Sequence, residues 1–224
     1  MSYNLRSPLN SILGFSELLT SGSEGKLSTF QLSMVANIQS GGLELLQQIV
    51  DILDLDKIEA GRLELVREST PVVAIISQSI ENARRRSRLS TEYDSEIEPG
   101  LSPAKVDLRR AAQALENSIM IVSSQMHGGV IRIHIKRKNV SNGSMTSISI
   151  LARGCFHDIP TLNQTIERGF SEIGSAQGLG LPLASQIVKL HGGNFKIEND
   201  QLGIIIRLEF PDQIMDNPVL SSTS

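Results

Sequence analysis

The residues with chemistry to offer are few and scattered. His127, His134, His157 and His191 show no spacing that would gather them around a metal ion, and the single Cys155 has no partner at a zinc-site interval, so no metal site is expected. Aspartates and glutamates are dispersed, and no serine–histidine–aspartate order can be argued. Tyr3 carries a phenol whose ordinary pKa near ~10 leaves it protonated at neutral pH, and Asn4 beside it cannot act as a base. Gly178-Leu179-Gly180-Leu181 stands directly ahead of a helical run containing Pro182. Glycines there let backbone N–H groups cradle phosphate at a helix N-terminus, although a tight turn under a packed helix needs the same residues. Arg84-Arg85-Arg86 with Arg88 offers cations to an acidic protein surface, or closes a helix whose C-terminal dipole favours them.

These residues need a scaffold, and the bulk numbers bound it. A chain of 224 residues exceeds one average domain but suits a small helical module joined to an α/β domain. Apolar residues at 40% and charged residues at 20% are ordinary for a soluble globular protein. No apolar run approaches the ~20 residues needed to span a bilayer, and the opening MSYNLRSPLNS lacks the regions of a signal peptide. One cysteine excludes an internal disulfide framework and fits a reducing, cytoplasmic compartment. A net charge of −3 gives no support for nucleic-acid binding. The helical pattern is already running at Met1, so a longer protein is expected, with any sensory region or membrane anchor upstream.

Leu5, Leu9, Ile12, Phe15, Leu18 and Leu19 recur mainly at spacings of three and four, one face of a helix that Pro8 should kink. Ser21-Gly22-Ser23-Glu24-Gly25 breaks the chain. A second helix begins at Ser28, which forms an S-x-x-Q capping box with Gln31. It carries Leu32, Val35, Ile38, Leu45, Ile49, Ile52 and Ile58 and stops near Gly61. Two amphipathic helices cannot bury both apolar faces alone, so residues 1–61 are expected to pair as a four-helix-bundle homodimer. Packing of the hairpin on the rest of its own chain is the alternative.

Residues 62–213 predict a two-layer α+β sandwich. Arg62–Val66 is a short strand candidate, and Pro71–Arg86 a helix with apolar Val73, Ile76 and Ile80. Thr91–Glu98 is an edge strand, and Asp107 to about Ser124 a helix with apolar Ala111, Ala114, Leu115, Ile119 and Val122. Val130–Ile135 alternates, as do Ile148, Ile150 and Ala152, with Asn142-Gly143 as the hairpin signal between the two runs. Pro182–His191 is a last helix, and Asn194–Glu198 and Gly203–Phe210 close the sheet as a second hairpin. Residues 214–224 are expected to be a disordered tail.

Several segments now carry a family likeness. Leu5 to Leu19, LRSPLNSILGFSELL, resembles the H box of sensor histidine kinases, and Asp54 to Gly61, DLDKIEAG, the end of their second helix. Asp107 to Asn117 resembles the approach to the N box. Gly178 to Leu181 with Ile187 to Gly193 resembles the G2 segment and the helix behind it. The segments stand in family order and span the chain to Phe210. The resemblance implies a dimerisation and phosphotransfer hairpin followed by an ATPase-type sandwich.

The departures bear on function. The family places a histidine and an acidic residue where this chain has Tyr3 and Asn4. Histidine serves because neutral imidazole is a nucleophile near pH 7 with a carboxylate as its base. Tyrosine at that position resembles the DivL branch of kinase-like regulators, or is simply a helix residue that replaced a lost histidine. Alignment on Leu115 and Asn117 puts the second N-box asparagine at Ile121 and the following basic residue at Ser124. The adenine-reading aspartate corresponds to Ala152. Gly154 is kept, and the next expected glycine is Phe156. An adenine amino group buried without its acceptor costs about 1–3 kcal/mol, and one amide at Asn117 cannot reproduce the oxygen ligands that support magnesium. ATP and magnesium binding are therefore expected to be weak or absent, with Gly178 and Gly180 kept as a structural turn. The implied role is a pseudokinase scaffold, a homodimer that binds a response-regulator receiver domain or another kinase through Tyr3, Arg6, Asn10 and Gly14. The alternatives are an active kinase that autophosphorylates on Tyr3 and a phosphatase of a phosphorylated receiver.

Overall fold

The computed structural model describes residues 2–22, 25–86, 91–126, 129–141, 143–154, 163–164, 166 and 179–212, with residues 2–6 and 125 described as backbone alone. The expected tail 214–224 lies outside the described residues. The chain forms two compact units, Met1–Gly61 and Arg62–Ser224.

The first unit is a helical hairpin of α1, Ser2–Ser21, and α2, Thr29–Glu59. The helix α1 continues through Pro8. The Ser28–Gln31 capping box opens α2: Ser28 Oγ accepts from the Gln31 N–H at 3.3 Å, and Gln31 Oε1 accepts from the Ser28 N–H at 2.9 Å. Gly61, at φ 65°, takes the left-handed conformation just past the C-cap Ala60. Leu9 and Val35 are buried in the hairpin, and Gly42 lets α1 approach closely, since a Cβ there would lie 2.8 Å from Leu13 Cδ2. Much of the expected seam stays open within one chain, because Ile12, Phe15, Leu18 and Leu19 on α1 and Leu32, Ile38 and Leu45 on α2 are exposed.

The second unit is built on a five-stranded sheet of order β2-β4-β5-β7-β6. Its strands are β2, Thr91–Ile97; β4, Gly129–Val140; β5, Gly143–Arg153; β6, Asn194–Asn199; and β7, Gly203–Pro211. β2 runs parallel to β4, and the remaining pairs are antiparallel. The helices α3, Val72–Arg86, α4, Leu108–Gln125, and α5, Gly180–Leu190, form the other layer. Ile131, Ile133 and Ile135 on β4 are buried towards the core with Ile148, Ile150, Ile204, Ile206 and Leu208, while Arg132 and His134 point to the opposite face. The two hairpins form as expected; β4 and β5 close after the Val140–Gly143 pair, and Asn142 lies outside the described residues.

Two expectations are corrected. Arg62–Val66 is not a strand; the strand is β1, Glu68–Thr70, antiparallel to β3, Ala104–Val106, which sequence reading missed. Leu63 and Leu65 are part-buried in alternation, which made the segment look strand-like, but among the described residues no ladder pairs with it, and the Val66 N–H donates to Asp107 Oδ2 instead. In α3 the buried face is Val72, Ile75, Ile76, Ser79 and Ala83, while Val73 is 56% exposed. Ser79 takes a core position because its hydroxyl donates to the Ile75 and Ile76 carbonyls at 2.9 Å, which leaves no polar group unpaired.

Candidate functional site

The elements that hold the expected site are α4, the end of β5 and the start of α5. Asp107 caps α4, its Oδ1 accepting from the Arg110 N–H at 3.1 Å. Ala111, Ala114, Leu115, Ile119 and Val122 are fully buried along the inner stripe of that helix. This fixes the rotation of α4 and places Asn117, Ile121 and Ser124 along one side, four and then three residues apart. Asn117 is buried, Ile121 part-buried and Ser124 exposed. Ser124 Oγ turns back to donate to the Ile121 carbonyl at 2.9 Å.

Asn117 and Gly180 are brought together. A Cβ built on Gly180 would lie 3.6 Å from Asn117 Cβ and Cγ, an ordinary contact distance. Gly180 has no positive φ either, so neither crowding nor backbone strain demands glycine there, against the expected tight packing. Asn117 Oδ1 accepts from Arg86 Nη1 at 3.4 Å, but its buried Nδ2 finds no acceptor among the described residues. The same Arg86 Nη1 donates to Glu116 Oε1 at 2.6 Å, and Glu116 Oε2 accepts from Asn82 Nδ2 at 3.1 Å. Sequence reading missed this network, whose only signal was a glutamate on the buried side of an amphipathic helix.

Ala152 lies in β5, paired with Ile131 on one side and Ile204 on the other, and is 1% exposed. It therefore presents only a methyl group. Gly154 follows at φ 73°, and its N–H donates to the Leu202 carbonyl at 2.8 Å. Phe156, Gly178, Cys155, His127 and His157 lie outside the described residues.

His191, which offered no metal spacing, has a different task. It is fully buried, its Nε2 accepts from the Asp107 N–H at 3.0 Å, and its Nδ1 lies 2.8 Å from the Ile187 carbonyl, which assigns the proton to Nδ1. Its ring meets Phe210 edge-on at 5.5 Å. Burial, foremost, pushes its pKa down; the nearby Arg67 charge adds to this, while the Ile187 hydrogen bond and Asp107 oppose it. Arg67 Nη2 also donates to the Leu190 carbonyl. The imidazole thus joins the last turn of α5 to the cap of α4, the two helices that carry Gly180 and Asn117.

In the hairpin, Tyr3, Asn4 and Arg6 are described as helical backbone of α1. Asn10 is exposed, and a Cβ on Gly14 would meet nothing within 4 Å.

The His Kinase A phospho-acceptor domain matches residues 1–61. Over 98% of its length the chain is 28% identical to the circadian input-output histidine kinase CikA of Synechococcus elongatus, covering 30% of that protein. The chain is similar to histidine kinases along nearly its whole length. Over 89% of its length it is also 28% identical to the sensor protein DivL of Caulobacter vibrioides, covering 26% of it. Full-length ShkA, solved in complex with AMPPNP, shares the fold at a TM-score of 0.71 and 22% identity over 97% of this chain and 46% of ShkA. The chain, with its helical hairpin and α/β sandwich, thus spans a quarter to a third of these two curated relatives. No described helix is long and apolar enough to cross a membrane.

Proposed function

We propose that this histidine kinase core is a pseudokinase scaffold of two-component signalling, a homodimer whose hairpin binds a response-regulator receiver domain or a partner kinase. One observation carries the reading. Where the family resemblance requires an adenine-reading carboxylate, the buried Ala152 offers no polar atom. A base left without its acceptor loses about 1–3 kcal/mol, or roughly 5- to 150-fold in affinity. Ile121 in place of an amide and Tyr3-Asn4 in place of a histidine and its acidic neighbour point the same way. The exposed apolar residues Ile12, Phe15, Leu18, Ile38 and Leu45 support pairing of two hairpins, which would remove them from water. The face of α1 around Tyr3, Arg6, Asn10 and Gly14 is the proposed receiver contact.

A second reading is favoured by one feature, the buried Asn117 Nδ2 without an acceptor beside a Gly180 that sterics do not require. Those groups suit a phosphate-bearing ligand at the start of α5, and a kinase that autophosphorylates on Tyr3 would need one. Calorimetric titration with ATP and magnesium, followed by incubation with labelled ATP, separates the readings. The pseudokinase predicts no tight, magnesium-dependent binding and no incorporated label. Stoichiometric label abolished by Tyr3→Phe refutes it. Titration against the receiver domains of the host tests the scaffold role directly, and failure to bind any of them removes it.

A further inference from the structure

The strand β2 is an edge of the five-stranded sheet, paired among the described residues with β4 alone. The Glu98 N–H, just beyond it, donates to the Ile135 carbonyl of β4 at 2.9 Å. In a parallel ladder the N–H and C=O of one residue point to the same side, and successive residues alternate. Glu92, Asp94 and Glu96 therefore direct their backbone groups at β4, while Tyr93, Ser95 and Ile97 direct theirs outward, with no partner among the described residues. Alongside that open edge runs a groove of about 300 Å³ between β2 and α3, lined by Val73, Ile76 and Ile80 with Ser95 and Ile97, and by Glu81 and Arg84 one turn apart on α3. Ser95 and Ile97, two of the three residues whose main chain faces outward, thus also line the groove. Val73, expected in the core, instead stands 56% exposed at its rim.

We propose that this edge is a docking site for an extended polypeptide segment in which apolar residues alternate with lysine or arginine. Such a segment adds a strand to β2 through main-chain hydrogen bonds and seats its apolar side chains in the groove. Its other side chains fall on the opposite face of the sheet, beside Glu92, Asp94 and Glu96. The Asp94 and Glu96 side chains are 65% and 81% exposed, so they remain available to incoming cations although Arg132 and His134 lie 3.7 Å from them on β4. The same three carboxylates argue against a second copy of this chain, because pairing β2 with β2 would set like charges opposite one another. A helix would leave the unpaired backbone groups of the edge unanswered.

The experiment uses the whole chain and a fluorescein-labelled peptide of alternating lysine and valine, with an alternating glutamate and valine peptide as its control. Fluorescence anisotropy should show saturable binding of the lysine peptide and none of the control. Ser95→Pro removes an outward-facing N–H without touching the ladder to β4, a position where edge strands tolerate proline, and should weaken binding at least about tenfold. Val73→Glu, a change at an exposed site, should weaken it independently by charging the groove, so the proposal stays testable if the proline variant folds poorly. No saturable binding of the lysine peptide, or binding indifferent to both substitutions, overturns the proposal. Concentration-dependent self-association in sedimentation that is lost in Ser95→Pro also overturns it, in favour of a second copy at this edge.

Discussion

Replacing His191 by phenylalanine keeps a flat ring of similar volume in a fully buried site and deletes both nitrogen contacts. The two contacts are not equal losses. The Ile187 carbonyl still accepts the His191 backbone N–H at 3.2 Å, whereas the Asp107 N–H loses its acceptor, Nε2. An orphaned buried donor costs about 1–3 kcal/mol, and because this contact is only part-buried the variant should lose up to that much at neutral pH. Acid should reveal the same contact in the native protein. Burial holds the native imidazole neutral, while in the unfolded chain histidine takes up a proton near pH ~6.5. Below that pH the unfolded state binds more protons, so this contribution is complete above it and is lost as pH falls towards the depressed native value. One unit below ~6.5 the loss can reach at most about 1.4 kcal/mol. Urea denaturation of both proteins at pH 7.5 and 5.5 measures it: the phenylalanine variant should be less stable at pH 7.5 and should change less between the two pH values. Equal pH dependence in the two proteins would show that His191 does not titrate against Asp107 and would refute the reasoning.

Two further outcomes follow from close contacts. Gly193→Ala should destabilise by about 1–3 kcal/mol or more in the same denaturation assay, because a Cβ there would sit 2.0 Å from the Glu209 carbonyl and 3.0 Å from that of Val188, both backbone atoms that cannot step aside. Arg86→Met should cost roughly 1–3 kcal/mol, since it leaves the buried Glu116 carboxylate with Asn82 as its remaining partner among the described residues and frees Asn117 Oδ1 as well; restoration of stability by Glu116→Gln in the same background would identify the stranded charge as the cause.

The sequence by itself determined the elements whose signals are local. The Ser28–Gln31 box and the alternation of Ile131, Ile133 and Ile135 are written within a few residues, and each is found in place. The likeness of the Leu5–Leu19 and Gly178–Gly193 segments carried the family resemblance, because motif order survives where overall identity is low. Tertiary structure alone decided what depends on distant partners. Leu63 and Leu65 alternate like a strand, yet backbone pairing goes to Glu68–Thr70, because a ladder needs a second strand and Ala104–Val106 faces only that stretch. Val73 belongs to the right helix and the wrong face, since Ser79 can hide its hydroxyl on its own helix and take the inner position. The task of His191 was illegible for the same reason: its value lies in an N–H 84 residues away, and no periodicity along the chain encodes a bond across it.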